Sequence, residues 1–322
     1  MQPAPARLRV AWPPAGTPYH RLARTPLHRW WRPLLATLTA IAVWLAGAVV
    51  LTITGLAAGK LAEVSPLPDR LAAEPVMDLV TLLLLLALGI PAVLAAARWP
   101  QRRPPGTVSS VVGHVRWRWL ASCVGLATVA IIVMYSLIAV LLVVSGGSTG
   151  GDLDVGWVGW AAFLLPALVC LALVPLQAAG EEYVFRGWII QAFGAYLRTP
   201  YVGIVIGAVM FAVAHGIGTT WGFADLVLFG LVGGWLAVRT GGLEAGIALH
   251  VMNNLPAFLL AAAAGQLEDN STAADSPWQL FAANLVVLPA YALVVTLVAR
   301  RLRVPSRVPA VPEPQPAAPP PT

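Results

Sequence analysis

The chain has 322 residues, of which 58% are hydrophobic and only 11% are charged. Soluble domains carry roughly 25% charged residues, so this composition excludes a water-soluble globular protein and indicates an integral membrane protein. The net charge is +6, but the basic residues stand in short clusters between apolar runs, which is typical of membrane topology signals and not of nucleic-acid binding. Cys123 and Cys170 both lie within apolar runs and indicate neither a disulfide framework nor a metal-binding knuckle.

Eight apolar runs predict an all-α, polytopic bundle of about eight transmembrane helices. Most of them approach the roughly 20 residues that a helix needs to cross the hydrocarbon core. In chain order they cover residues 34–58, 77–97, 119–144, 157–179, 201–217, 223–239, 243–264 and 279–299. The first run follows a long arm with six arginines, so we expect it to remain as an anchor and not to be a cleaved signal peptide.

The basic residues predict the orientation of these helices. Eighteen of the twenty Lys and Arg residues fall in the N-terminal arm, in alternate loops and in the C-terminal end, whereas the other loops contain only Lys60 and Arg70. Because cytoplasmic loops are enriched in Lys and Arg, both termini are predicted to be cytoplasmic. Nine tryptophans fall at the predicted membrane boundaries, namely Trp30, Trp31, Trp99, Trp117 and Trp119 on the inner side and Trp157, Trp160, Trp221 and Trp278 on the outer side.

Composition divides the chain into five segments. An Arg-rich arm (residues 1–33) precedes the N-terminal transmembrane helices (34–156), and a segment with most of the intramembrane polar residues (157–265) precedes the last transmembrane helix (266–303). The Pro-rich tail (304–322) is expected to be disordered. No internal repeat indicates an inverted-repeat transporter.

Polar residues inside apolar helices are candidates for function, because their burial is costly unless they are paired or hydrated. Four groups occur in the second half of the chain: residues 181–186, 211–215 and 250–254, and Asp225. Each group also has a structural interpretation, as a helix-end ion pair, as hydrogen bonds between helices or as packing. For Asp225 we favour a residue at the outer membrane interface.

Helical spacing suggests how these groups face one another. Glu182 and Arg186 are four residues apart, so they share a helix face and are predicted to pair. Glu181 is then about 100° around the helix and is expected to face elsewhere. The same spacing recurs in Phe211–His215 and in His250–Asn254. If the three helices face each other, their polar groups are satisfied internally, as a bilayer requires.

The three motifs Glu181-Glu182-x-x-x-Arg186, Phe211-x-x-x-His215 and His250-x-x-x-Asn254 together resemble a known family. In order and spacing they are similar to those of the CAAX-protease and bacteriocin-processing (CPBP, or Abi) family. This family consists of intramembrane endopeptidases, and it includes the type II CAAX prenyl endopeptidases. The resemblance covers about residues 157–265, a third of the chain, and it implies that this segment is the catalytic core of an intramembrane endopeptidase.

The resemblance also implies the site. The catalytic set would be Glu181, His215, His250 and Asn254, supported by Glu182, Arg186 and Phe211. No nucleophile stands beside a base in the sequence, so hydrolysis by an activated water is expected. Glu181 would be the general base, and His215 would hold and polarise the water. His250 and Asn254 would donate hydrogen bonds to the developing oxyanion.

No cofactor is certain, but zinc is possible. Glu181, His215 and His250 could supply three ligands and leave the fourth position open, which would make the enzyme a metalloendopeptidase. The sequence contains no His-Glu-x-x-His motif, and a zinc-free, glutamate-dependent hydrolysis uses the same side chains. We favour the zinc-free mechanism, because Asn254 suits an oxyanion donor better than a partner of a metal ligand.

The expected partners are the lipid bilayer and a membrane-associated peptide or protein substrate, with no nucleic acid. The Ala-, Arg- and Pro-rich composition with a single Lys favours a bacterial source, and therefore the bacterial inner membrane, where prenylated substrates are not expected. Two alternatives remain. One is a non-catalytic bacteriocin-immunity or scaffold protein that keeps the motifs. The other is a proton-coupled transporter, which the scarcity of polar residues in the outer halves of these helices opposes.

Overall fold

The computed structural model describes residues 10–61, 75–146, 156–267 and 272–310. Within these ranges the structure is helical and contains no β-strand, so the predicted all-α class is confirmed. The helices are α1 (Arg32–Leu61), α2 (Pro75–Ala87), α3 (Gly89–Arg98), α4 (Trp117–Val144), α5 (Trp160–Glu182), α6 (Ile189–Gly194), α7 (Tyr201–Ala214), α8 (Thr220–Thr240), α9 (Glu244–Ala264) and α10 (Trp278–Arg301).

Seven helical segments of the described chain are long and apolar enough to cross a membrane. The chain is therefore a multi-pass membrane protein, and each of the eight predicted runs corresponds to a helix or to a helix pair. The second run is divided into α2 and α3 at Leu88. The fifth run forms only α7, of 14 residues, because the chain turns at Gly216 and Gly218, whose φ angles of 94° and 47° lie in the left-handed region.

The helix that carries the first motif is longer than predicted. A π-helical turn, Tyr183–Trp188, joins α5 to α6, so that Trp160–Gly194 is one continuous segment of 35 residues. At 1.5 Å per residue this segment is about 50 Å long, whereas the hydrocarbon core is about 30 Å thick. The acidic pair therefore lies inside a continuous helical segment and not at its end, directly before a π-helical turn of the kind often found at functional sites.

Close helix packing positions this segment. Helix α9 is central and packs against α4, α5 and α8, while α5 also packs against α2. The junction of α2 and α3 meets α5 with almost no space between the backbones. A Cβ atom added at Gly89 would lie 2.8 Å from the carbonyl oxygen of Gly180, and one added at Gly180 would overlap the carbonyl oxygen of Leu86. Small residues allow such an approach between membrane helices.

The two ends of the described chain pack together on one side of the bundle. Main-chain hydrogen bonds join Gly16 N to Val308 O (2.8 Å) and Val308 N to Thr17 O (3.0 Å). Another joins Ala11 N to Arg102 O (2.9 Å) in the loop after α3. We call residues 10–31, 99–116 and 302–310 the terminal cap. The start of the Pro-rich tail, residues 304–310, is thus held in place, whereas residues 1–9 and 311–322 lie outside the described residues, as does Arg70.

Most of the tryptophans that are predicted to lie at membrane boundaries are on the surface of the bundle. Eight of the nine are exposed on the bundle surface: Trp30, Trp31, Trp99, Trp117, Trp157, Trp160, Trp221 and Trp278. The ninth, Trp119, is only 4% exposed. It lies one helical turn before Cys123 and two before Ala127, and all three face the core of the bundle.

Candidate active site

The first motif forms a buried ion pair that packs against two aromatic rings. Glu182 and Arg186 are each 1% exposed, and Arg186 Nη1 lies 2.9 Å from Glu182 Oε1, which confirms the predicted pairing. The guanidinium carbon of Arg186 lies 4.0 Å from the centre of the Phe211 ring and 5.6 Å from that of Phe229. None of the guanidinium nitrogens makes an aligned hydrogen bond, so charge and the two ring faces hold this side chain.

Both glutamates of the motif converge on His250. Glu182 Oε1 lies 3.0 Å from His250 Nδ1, and Glu181 Oε2 lies 3.3 Å from His250 Nε2. The imidazole has a nitrogen on each of two edges, so Glu181 and Glu182 contact the same side chain at different edges. An imidazole donates from both nitrogens only when it is protonated. With Arg186, the buried cluster then contains two negative and two positive charges, which lessens the cost of burying it.

The third motif also reaches Glu181 through an intermediate residue. Asn254 Nδ2 donates to Gln177 Oε1 at 3.3 Å, and Gln177 Nε2 donates to Glu181 Oε2 at 2.7 Å. Asn253 Nδ2 donates to Asn254 Oδ1 at 3.1 Å. One hydrogen of the Asn254 amide is thus committed to Gln177, and the second is available to a ligand.

The second motif ends beside this cluster. His215 is the residue that follows α7, and its Nδ1 lies 2.8 Å from the carbonyl oxygen of Phe211. Because a carbonyl oxygen only accepts, Nδ1 carries a hydrogen, and in the neutral imidazole Nε2 then has the lone pair. The Phe211 ring centre lies 4.5 Å from that of His215 and 5.6 Å from that of His250. Phe211 therefore joins the second motif to the first and the third.

All seven residues proposed from the sequence thus belong to one connected group. Two further members, outside the three motif segments, were missed. Gln177 could have been found, because it is a polar residue in an apolar run one helical turn before Glu181. Phe229, whose ring contacts Phe211 and His250, gave no signal, because a phenylalanine in an apolar helix normally serves packing.

The arrangement does not fit a zinc ion bound by Glu181, His215 and His250. Within the described residues, no three His, Cys, Asp or Glu side chains are grouped closely enough to hold a metal. Both ring nitrogens of His250 also face carboxylates, so neither offers a lone pair to a metal.

Asp225, which the sequence suggested to be a residue of the outer membrane interface, is buried between helices. It is 7% exposed, and it accepts hydrogen bonds from Asn284 Nδ2 at 2.9 and 3.2 Å. Asn284 belongs to α10 and is 2% exposed. The pair therefore links α8 to α10 inside the bundle.

Comparison with known proteins gives two similarities. Residues 160–256 match the family model described as type II CAAX prenyl endopeptidase Rce1-like. A protein of Bacillus subtilis (strain 168), described as "Uncharacterized protein YyaK", is 24% identical over 196 residues, which are 59% of this chain and 63% of that relative. The matched region therefore spans less than two thirds of the relative's length. No solved structure matches the chain significantly.

The matched segment contains all three motifs, from Glu181 to Asn254. The family is one of endopeptidases, which supports a peptidase, and hence a hydrolase, as the general class of activity. Over the segment that holds the site, the chain is similar to the Rce1-like type II CAAX prenyl endopeptidases, which confirms the family resemblance that the three motifs predicted.

Proposed function

We propose that the protein is an intramembrane endopeptidase that hydrolyses a peptide bond of a membrane-associated protein or peptide with a water activated by Glu181. The observation that carries this proposal is the connected group in which Glu181 contacts His250 directly and Asn254 through Gln177. It joins a carboxylate base to an amide donor within the helical bundle. The similarity to an endopeptidase family supports the same class of reaction.

The general base is Glu181. Its Oε2 atom accepts a hydrogen bond from Gln177 and contacts His250 Nε2. No described residue donates a hydrogen bond to Oε1, so Oε1 is the oxygen that contacts the water. The Nε2 lone pair of His215 accepts the second hydrogen of that water and orients it. General-base catalysis of this kind contributes roughly 10²- to 10⁴-fold to a rate.

The oxyanion donor is Asn254. The water oxygen bonds to the peptide carbonyl carbon, its proton passes to Glu181, and the carbonyl oxygen becomes negative. The second Nδ2 hydrogen of Asn254 stabilises this oxygen. Glu181 then gives the proton to the leaving nitrogen, so that a carboxyl and an amino group are released. His250, whose two nitrogens are engaged by carboxylates, fixes Glu181 and Glu182 and takes no part as an oxyanion donor.

The proposed partners are the lipid bilayer and a substrate peptide anchored in it, without nucleic acid. The proposed location is the bacterial inner membrane, with both termini in the cytoplasm. This orientation is supported by the Arg-rich arm and C-terminal end, which meet in the terminal cap. Glu181 lies about 20 Å along the helix from the contact of the terminal cap with Gly194, so a peptide bond inside the bilayer would then be the one within reach.

The test is cleavage in detergent of a library of membrane-tethered peptides by the wild type and by Glu181→Gln, with and without a chelator. Glu181→Gln keeps the size of the side chain but removes the base, so we expect turnover to fall by about 10²-fold or more, and wild-type turnover to survive the chelator. Full activity in Glu181→Gln contradicts the proposal. Activity lost to the chelator and restored by zinc favours a metalloendopeptidase, and a folded wild type that cleaves no peptide favours the scaffold or immunity alternative.

A further inference from the structure

Gln177 occupies a distinctive position in the bundle. It lies on α5 one helical turn before Glu181 and is 4% exposed. Its two amide atoms are both used: Nε2 donates to Glu181 Oε2 at 2.7 Å, and Oε1 accepts from Asn254 Nδ2 at 3.3 Å. It is therefore the one described side chain that bonds both to the base and to the oxyanion donor of the proposed reaction.

The hydrogen bonds around Gln177 run in one direction. Asn253 donates to Asn254, Asn254 donates to Gln177, and Gln177 donates to Glu181. A carboxylate accepts only, so the ionised Glu181 fixes which end of the Gln177 amide faces it, and this in turn fixes the amide of Asn254. The chain of bonds ends at the charge of Glu181.

We propose that Gln177 is a positioning residue for peptide-bond hydrolysis, which fixes Glu181 and Asn254 at a set separation. The inference rests on the proposed function, since it concerns the base and the oxyanion donor of that reaction. Gln177 turns the Glu181 carboxylate so that Oε2 is occupied and Oε1 faces the water. At the same time it takes one Asn254 hydrogen and directs the other toward the carbonyl oxygen of the substrate.

Glutamine suits this position because it presents a donor and an acceptor on one planar group. Glutamate keeps the acceptor for Asn254 but replaces the donor to Glu181 with a second carboxylate. Methionine fills a similar volume without either hydrogen bond. These two substitutions therefore separate the two contacts of Gln177.

The experiment compares Gln177→Met and Gln177→Glu with Gln191→Met in the full-length protein. Gln191 is a matched control, because it is 0% exposed and its Nε2 donates to the carbonyl oxygen of Thr107 at 3.0 Å, away from the motifs. We expect kcat to fall by roughly 10- to 100-fold in Gln177→Met with KM within about threefold, since a misplacement of about 1 Å costs about 10²-fold. The kcat of Gln177→Glu should fall at least as far. The kcat of Gln191→Met should stay within about threefold of the wild-type value, even if its melting temperature is lower.

A double variant tests whether the effect acts through Asn254. If Gln177 positions Asn254, the fold-reduction of kcat in the double variant Gln177→Met/Asn254→Ala is smaller than the product of the fold-reductions in the two single variants. The inference is overturned if the two losses multiply, or if Gln177→Met reduces kcat no more than Gln191→Met does.

An infrared measurement keeps the inference testable if no peptide is cleaved. The carboxylate band of Glu181 is isolated as the difference between the wild type and Glu181→Gln, and it is measured again in the Gln177→Met background. A shifted band supports the contact even where the endopeptidase proposal fails. An unshifted band overturns the positioning role, and cleavage by the wild type with an unshifted band overturns it while the endopeptidase proposal stands.

Discussion

At the scale of single residues, Arg186 has an unusual environment. Its guanidinium is buried, faces one carboxylate at 2.9 Å and lies over Phe211. Removing one partner of a buried ion pair leaves the other charge without compensation, and this costs more than an exposed pair contributes. We therefore expect the pair of Glu182 with Arg186 to have a structural role, distinct from the chemistry proposed for Glu181.

We predict that Arg186→Ala and Glu182→Gln impair folding more than chemistry. Arg186→Ala should lower the free energy of unfolding by about 3–5 kcal/mol. The exposed Arg118→Ala should change it by less than about 0.5 kcal/mol. Unfolding in detergent, with cleavage measured on the folded fraction, checks this. A normal melting temperature with abolished cleavage in Arg186→Ala would place Arg186 in the chemistry instead.

The residue scale also shows what the sequence could predict. Spacing predicted the pairing of Glu182 with Arg186, because both lie on one helix and the geometry of one helix depends only on sequence separation. It did not predict that Glu181 reaches His250. That contact depends on how α5 is rotated against α9, and this rotation is not visible in a spacing rule.

At the scale of elements, the crossing of α5 with the α2–α3 junction sets the position of Glu181. Gly180 precedes Glu181 directly, and its backbone contacts Leu86 and Ala87 so closely that no Cβ fits. A displacement of α5 at this point would move the carboxylate away from His250. The apolar runs predicted the helices themselves, but not this crossing, because a glycine within an apolar run has the same pattern wherever it packs.

We predict that Gly180→Ala lowers both stability and turnover. Alanine is favoured over glycine in a helix by about 1 kcal/mol, so a loss of stability can come only from the crowded crossing. Gly125→Ala in α4 is the matched control, since no atom outside its own helix lies within 4 Å of its added Cβ. It should leave turnover unchanged and keep or raise the melting temperature. Equal melting temperatures for Gly180→Ala and Gly125→Ala would contradict the prediction that close packing at Gly180 leaves no room for a Cβ.

At the scale of the whole molecule, the terminal cap joins both chain ends to the bundle. His20 in the arm is buried, with its Nε2 atom 3.0 Å from the carbonyl oxygen of Arg198. Burial lowers the pKa of His20 below its ordinary value, and the charges of Arg21 and Arg307 lower it further. The sequence showed the Arg-rich arm but not its docking, because contacts between distant segments leave no local pattern.

We predict that the terminal cap loosens in acid. The detached arm binds a proton at His20 more readily than the docked arm does, so the stability of docking is complete above the ordinary pKa of 6.5 and falls as the pH drops below it. The rate of proteolysis within residues 10–31 should rise between pH 7.5 and 5, by at most about tenfold per pH unit for one proton.

His20→Gln should weaken this pH dependence and leave part of it, because burial also lowers the pKa of His28 in the same arm. The exposed His114→Gln, elsewhere in the terminal cap, serves as the control and should behave as the wild type does. A pH dependence that is identical in all three proteins would show that His20 does not govern docking.

The continuous segment Trp160–Gly194 also sets the distance between the terminal cap and Glu181. The terminal cap is fastened near its C-terminal end, where the main chain of His20 lies against Gly194 and the Tyr196 hydroxyl donates to Trp30 O at 2.5 Å. Glu181 lies 13 residues before Gly194, a distance of about 20 Å along the helix. In membranes of different thickness the opposite ends of the helices adjust by tilting, while this distance stays constant. In the proposed reaction, the depth of the bond that is cleaved is therefore set by its distance from the terminal cap and not by its distance from the bilayer midplane.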